Sequence, residues 1–308
     1  MPQVSTVLDL HPPSPPGVPL LLARLVDDAA LFPPSRASVV DTVKAHLAAR
    51  RAPHAGVIGF LICPISRLSA LVSALRKARP ARPVALSLVA DTGLGGLPKA
   101  ISTALDNAKL LDLRMIEVPA PSDVDATWLV QLTEFVPDDV VRVVEPRRGR
   151  PEWLTGVRRV AEAGCWPKLR CGGSSVESFP SVDEVSEFLA ITTGTGTPFK
   201  ATAGLHHAIR GVHTLTAEEN APSELMHGFL NVLLASALAF KGRDRETVLG
   251  LLEETSRSAF RFNDSGVKWR GLHTSIEMLK RVREEFAISF GSCSFEEPLA
   301  ELRSLGLI

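Results

Sequence analysis

Short, strongly apolar runs alternate along this chain with longer stretches in which apolar residues recur every three or four positions. The runs are "LLLARLVDD" (20–28), "GVIGFLICP" (56–64), "PVALSLVAD" (83–91), "DLRMIEVP" (112–119), "VVRVVEP" (140–146), "PKLRCGG" (167–173), "PFKATAG" (198–204) and "AISFGSCS" (287–294). Between them lie segments such as "ASVVDTVKAHLAARR" and "RLSALVSALRKA", whose apolar residues fall on one helical face. This alternation predicts a parallel sheet assembled from βαβ units.

Most of the runs end in charge. The last polar residues of six are Asp28, Asp91, Glu117, Glu145, Arg170 and Lys200, and from Asp91 onward the steps are 26, 28, 25 and 30 residues. A βαβ unit takes roughly 30 residues. Eight such runs predict a (β/α)8 TIM barrel, a fold of about 250 residues. An open doubly wound sheet is the rival, but the shortage of glycine-rich dinucleotide fingerprints favours closure. The remaining length of the 308-residue chain falls in a proline-rich extended leader, 1–18, and in a helical insertion, 205–286, between strands seven and eight. The clearest helices of that insertion are "SELMHGFLNVLLASALAFKG" and "HTSIEMLKRVREEF". The whole chain reads as a single barrel domain.

Composition narrows the partners. Lys+Arg 34 balance Asp+Glu 34, so no global charge points to nucleic acid or a membrane surface. The Arg147, Arg148 and Arg150 cluster reads as solvated loop charge. Hydrophobic residues at 45% and charged residues at 22% suit a soluble globular protein. The four cysteines, Cys63, Cys165, Cys171 and Cys293, have no CxxC spacing, which suits a reducing cytoplasm. No run approaches the roughly 18 apolar residues of a membrane span, and the N-terminus lacks the basic and apolar regions of a secretory signal.

In a barrel, the C-terminal strand ends and the loops beyond them build the active site. Lys168 and Arg170, two apart, share one face of the sixth strand, and Lys200 comes from the seventh. Glu117 and Glu145 could merely neutralise these cations as a buried ion network. Desolvating each ion costs several kcal/mol, however, and that favours a functional mouth. Arg170 offers a planar fork to a carboxylate or phosphate, while a lysine crowded by cations loses its proton more readily and can attack a carbonyl. The alternative is that all three cations simply bind an acidic ligand. Lys168, Lys200, Glu117 and Glu145 are therefore the catalytic candidates, with Arg170, Asp28 and Asp91 on the substrate side.

Small residues extend the same mouth. Gly172 and Gly173 follow the sixth strand, and Gly291, Ser292 and Ser294 precede a helix expected from about 295 to 305. Free N–H groups ahead of a helix can receive an anion, although Ser294 and Glu297 also have capping-box spacing, as do Ser181 and Glu184. His206 is an acid/base candidate and His207 a substrate contact, because imidazole titrates near neutrality. His213 and His227 lie just beyond, without the HxH or HxxxH spacing of a zinc site. His11, His46, His54 and His273 are expected at the surface.

The pair "KLRCGG" and "FKATAG" resembles the sixth and seventh strands of Schiff-base (class I) aldolases of the deoxyribose-phosphate aldolase type. The resemblance covers about a fifth of the chain and implies Lys168 as the Schiff-base former with Lys200 lowering its pKa. It departs from the family at Arg170, at Glu117 in place of an aspartate, and in the 205–286 insertion. A weaker resemblance, carried by "LRMIEVP" and by Asp91, Glu117 and Glu145 on consecutive strands, is to the enolase superfamily. It implies Mg²⁺ on those carboxylates and Lys168 as base, but the family's capping domain and its KxK are missing. The set "DDAALFPP", "KLRCGG", "FKATAGLHH", "HGFLN" and "SFGSCSFEEP" also resembles a bacterial barrel family with no assigned activity.

The leading expectation is thus a lyase, aldolase-like, acting without a cofactor on a small anionic phospho- or carboxy-carbonyl compound. The alternatives are a Mg²⁺-dependent enolase-like lyase or isomerase, and a non-catalytic anion-binding barrel. The apolar "FLNVLLASALAF" helix is expected in the core, with a homo-oligomer surface as its other use.

Overall fold

A computed structural model describes residues 20–149, 152–215 and 221–308. The leader, His11 and Arg150 lie outside the described residues. The expected barrel is present. Its strands are β1 (Val26–Asp28), β2 (Ile58–Pro64), β3 (Val84–Val89), β4 (Leu111–Pro119), β5 (Val141–Glu145), β6 (Trp166–Arg170), β7 (Phe199–Thr202) and, after the insertion, β13 (Ala287–Ser292). They close in the order β1-β13-β7-β6-β5-β4-β3-β2, and every neighbouring pair is parallel.

Six helices alternate with the first seven barrel strands: α1 (Val39–Ala49), α2 (Leu68–Ala78), α3 (Leu97–Asp106), α4 (Ala126–Phe135), α5 (Trp153–Glu162) and α6 (Val182–Thr195). Their starts are written locally. Ser38, Asp125 and Ser181 each accept a backbone N–H of the first turn, and Ser181 with Glu184 completes the expected capping box. Outward strand residues such as Leu61, Leu86, Ile116 and Val144 pack against these helices. Inward residues make a separate cluster of Phe60, Ala85, Met115, Val143, Trp166 and Ile288, one from each of six strands, which fills the lower barrel.

The 205–286 segment corrects the expectation of a purely helical insertion. It holds α7 (Phe229–Phe240), α8 (Arg245–Glu253) and α9 (Ile276–Glu285), but also a hairpin, β8 (Gly211–Thr214) with β9 (Ser223–Met226). A second sheet, β10 (Phe260–Asn263), β11 (Gly266–Trp269) and β12 (Leu272–Ser275), lies between α8 and α9. "FNDSGVKW" makes the tight turn that joins the first two of these strands. Asn263 Oδ1 accepts from Ser265 N at 3.0 Å, and Gly266 takes φ +137, where an added Cβ would strike Thr274 O. Strands of four residues carry too little alternation to stand out from helical periodicity. Helix α7 is buried from Phe229 to Leu238 and joins the main core, so core packing uses its apolar surface. No helix among the described residues is long and apolar enough to cross a membrane.

Candidate active site

Strand alternation explains why charge collects above the apolar plug. In β4, β5 and β6 the plug residues Met115, Val143 and Trp166 are followed two positions later by Glu117, Glu145 and Lys168 on the same inward face. β6 and β7 stand in register with Lys168 opposite Lys200. The result is one unbroken chain of opposite charges across the barrel interior.

Lys200 Nζ lies 2.7 Å from Asp27 Oδ2 and 2.6 Å from Glu117 Oε1. Lys168 Nζ lies 2.7 Å from the other oxygen, Glu117 Oε2, and 3.0 Å from Glu145 Oε2. Arg170 Nε then donates to Glu145 Oε1 at 2.6 Å. Three carboxylates alternate with three cations, so the chain is electrically neutral. Hydroxyls finish its buried end: Ser87 donates to Glu117 Oε1 and Ser289 to Asp27 Oδ2, each at 2.6 Å, and Phe60 N donates to Asp27 Oδ1 at 2.8 Å.

Exposure rises along the chain. Side-chain accessibility is 0% at Lys200, 8% at Lys168, 16% at Glu145 and 45% at Arg170. Arg170 and Glu145 therefore stand at the mouth, with Lys168 just beneath them and Lys200 sealed. The pairing with Glu145 uses Nε of Arg170 and leaves the guanidinium's two Nη groups for another anion.

These neighbours set the protonation states. Burial opposes charge on Glu117, but the Lys168 and Lys200 ammonium groups outweigh it and hold the carboxyl far below its usual range. Glu145 is likewise lowered, as Lys168 and Arg170 overcome its desolvation. Burial also disfavours the Lys168 ammonium, yet Glu117 and Glu145 win and raise its pKa. At Asp27 burial prevails and raises the pKa, against the pull of Lys200 and its hydrogen-bond donors. The resting site thus holds Lys168 as an ammonium between two carboxylates. The resemblance to class I aldolases implied the opposite tuning, with Lys200 lowering the pKa of Lys168. The shared Glu117 between the two lysines is the reason for the difference.

Not every expected residue joins this chain. Asp28 points the other way from Asp27, into the layer between barrel and helices, where His46 Nδ1 lies 3.1 Å from its Oδ2. Adjacent residues of a strand face opposite sides, so the "DD" doublet divides between two environments. His46, expected at the surface, is buried against this carboxylate, whereas His273 is exposed and His54 partly so. Asp91 lies at the exposed end of β3, accepting from Ser66 N at 3.1 Å and Ser66 Oγ at 2.5 Å. It does not converge with Glu117 and Glu145, whose oxygens face lysines. Among the described residues no group of three His, Cys, Asp or Glu side chains is placed to hold a metal ion, so Asp91, Glu117 and Glu145 are not gathered into one three-carboxylate set.

The loops after β6 and β7 touch. A Cβ on Gly172 would come within 2.7 Å of Gly204 Cα, and Gly204 itself takes φ +67. This close passage brings the exit of β7 beside the mouth, with His206 and His207 on it. His206 Nδ1 lies 2.5 Å from Glu297 Oε2, and His207 Nδ1 lies 3.4 Å from Glu301 Oε1, both on α10 (Glu296–Ser304). His207 also stacks on His213 with centroids 3.3 Å apart. His227 is buried between Arg210 Nη1 at 3.0 Å and Pro180 O at 2.7 Å, and burial lowers its pKa to about 4.

Gly173 packs on Ser178, and Gly291 sits in β13 beside Thr202 and Ile62. Ser292 Oγ donates to Ser294 O at 2.5 Å rather than facing outward. The capping-box alternative for Ser294 is not realised: α10 begins with Phe295 at its N-cap and no side-chain cap, because Glu297 turns to His206. Asp27, Ser87 and Ser289 are site residues that the sequence pattern did not single out. Strand alternation in the "VDD" run implied only that one of the two aspartates faces inward; the two serines carry no signal, since serine is common in strands and loops alike. Compared with known proteins, the chain matches no family model and no curated protein.

Proposed function

We propose that the barrel mouth is the active site of an aldolase-like lyase acting on a small anionic carbonyl compound, with Lys168 as the reacting amine. The observation that carries this reading is the position of Lys168 Nζ. It belongs to the outer of two in-register lysines, 3.0 Å from Glu145 and one residue pair below the exposed Arg170 fork.

A resting ammonium must lose a proton before it can attack, and the substrate's own charge supplies the trigger. An anionic group bound at Arg170 competes with Glu145 for the guanidinium and so makes Glu145 more basic. Glu145 then takes the proton of Lys168, and the free amine adds to the carbonyl carbon. The carbinolamine loses water as Glu145 returns the proton to the departing hydroxyl, leaving an iminium. Glu145, again a carboxylate, takes the β-hydroxyl proton as the Cα–Cβ bond breaks. The electrons of that bond pass to the iminium to give an enamine, and the far fragment leaves as an aldehyde. Glu117 and Lys200 hold the amine in line from below and act as positioning residues.

Trapping tests it. Borohydride with pyruvate, glyoxylate or glyceraldehyde 3-phosphate is expected to leave a reduced adduct on Lys168, weakened by Arg170→Gln. A chain with no adduct on any lysine would remove the covalent step. The raised pKa of Lys168 favours a second reading, in which it stays charged and stabilises an enolate. Exchange of the substrate's α-hydrogen into deuterated water without a trapped adduct would select that reading.

A further inference from the structure

The barrel mouth has a second, uncharged half. Three residues above the plug, Ala29, Ile62 and Val89, make a small apolar cluster of their own, and partly buried Phe32, from the loop after β1, packs on it. Strand parity puts Ile62 two positions above the plug residue Phe60, on the same inward face. Register ties the cluster to the ion chain. Ile62 pairs with Ser87, which donates to Glu117 Oε1 at 2.6 Å, and Val89 pairs with Glu117 itself. In the closed strand order β2 stands opposite β6, so Ile62 is on the wall across from Lys168 and Arg170.

What exposure remains at this height lies on the inner face. Ile62 keeps 3% and Val89 9%, whereas their outward neighbours Leu61, Cys63 and Leu88 keep none. The carboxylates on the same strands are already paired, Asp27 with Lys200 and Asp91 with Ser66. Gly291 continues the apolar surface, since a Cβ there would lie 3.0 Å from Ile62 Cδ1 and 4.0 Å from Ala29 Cβ. The loop that carries Phe32 is held in place. Ala29 N donates to Ser292 O at 2.8 Å, Phe32 N to Ala29 O at 2.9 Å and Ala37 N to Ala30 O at 2.9 Å. Asp28 Oδ1 accepts from Ala30 N at 3.1 Å, and His46 holds that carboxylate from behind. A wall fixed in this way loses little freedom when a guest arrives.

We propose that the carbonyl substrate is a 2-oxo acid whose chain ends in a short aliphatic group, and that Ile62, Val89 and Phe32 select that end. The inference rests on the proposed function and names its substrate class. Arg170 stands two residues from Lys168 on one face of β6, so the anion it takes is close to the reacting carbonyl, as a carboxylate on the carbonyl carbon is. The chain beyond the carbonyl then runs across the mouth to β2 and β3. The far fragment released by the proposed cleavage is an aliphatic aldehyde. A phosphosugar would instead set hydroxyls and a phosphate against apolar side chains that offer them no hydrogen bonds.

The probes are pyruvate, 2-oxobutanoate, 2-oxopentanoate and 2-oxohexanoate, measured on the intact chain by calorimetry and, separately, by borohydride trapping with peptide mapping. Each added methylene is expected to tighten retention about fourfold. Val89→Thr keeps the branched shape and adds a hydroxyl, so the gradient should fall below about twofold per methylene. Phe32→Ser, in the loop, should lower it by a smaller factor. Circular dichroism of each variant verifies its fold. A flat series, no retention of any member, or a gradient unmoved by both variants would overturn the proposal. So would tighter retention of glyceraldehyde 3-phosphate than of 2-oxohexanoate. A gradient in calorimetry with no lysine adduct would keep the aliphatic wall and remove the covalent step, whereas equal Lys168 adducts along a series with no gradient would do the reverse.

Discussion

Lys200 and Lys168 occupy matching positions on neighbouring strands and share one carboxylate, yet they live in different worlds. Lys200 is sealed over Phe60 and against Met115, with Asp27 and Glu117 as its anions and Ser87 and Ser289 completing their shells. Lys168 has Glu117 behind it and Glu145 in front, and its side chain keeps 8% exposure. The same residue type at the same height in the barrel is a structural cation in one strand and an accessible one in the next. What separates them is the direction in which the chain of ions opens. Its inner end stops against the apolar plug, and its outer end finishes in the solvent-reached Arg170.

The strongest way to break this contrast is Lys200→Met. It strips buried Asp27 of its ion pair and leaves Glu117 with Lys168 alone, and the expected loss is about 3–5 kcal/mol of unfolding free energy, read by chemical denaturation. Lys168→Met should cost less, about 1–3 kcal/mol, since Glu117 keeps Lys200 and Glu145 keeps Arg170. It should nevertheless abolish borohydride trapping. Equal stability losses in the two variants would erase the distinction between a sealed and an open end.

Titration sharpens the comparison further. The carboxyls of Glu117 and Glu145 are lowered in the folded state, so the stability they contribute is complete above the unfolded glutamate value of about 4.3 and is lost as pH falls through their folded values. Asp27, raised by burial, has the opposite sign: its contribution is present below about 3.9 and declines as pH rises through its folded value. Glu145→Gln should flatten the acid limb of a stability profile. At the rim, His206 is raised to about 9, so its contribution is full below about 6.5 and disappears between there and about 9. A fall on the order of 1 kcal/mol over that window is expected, absent in His206→Asn, because the pair with Glu297 sits partly in solvent. The smallest effect belongs to Arg170→Gln. Half-exposed, it should change stability by less than about 1 kcal/mol while weakening retention of anionic carbonyl compounds, measured by calorimetry.

Much of this was legible before any coordinates. Eight apolar runs at a regular spacing, broken by helical periodicity, determine a closed parallel barrel because strand burial and helix amphipathicity are local properties of side-chain order. The same parity placed Lys168 and Arg170 on one face and put Glu117, Glu145 and Lys200 near one end of the barrel. Tertiary structure alone decided which aspartate of "DD" faces inward, since both are one residue from an apolar neighbour and only pairing with Phe290 and Ile58 sets the rotation of β1. It also decided that Glu117 stands between the two lysines, and that His206 meets Glu297 across 91 residues of sequence. Charge order within a barrel and contacts between distant loops depend on strand stagger and loop approach, which no short-range pattern of residues encodes.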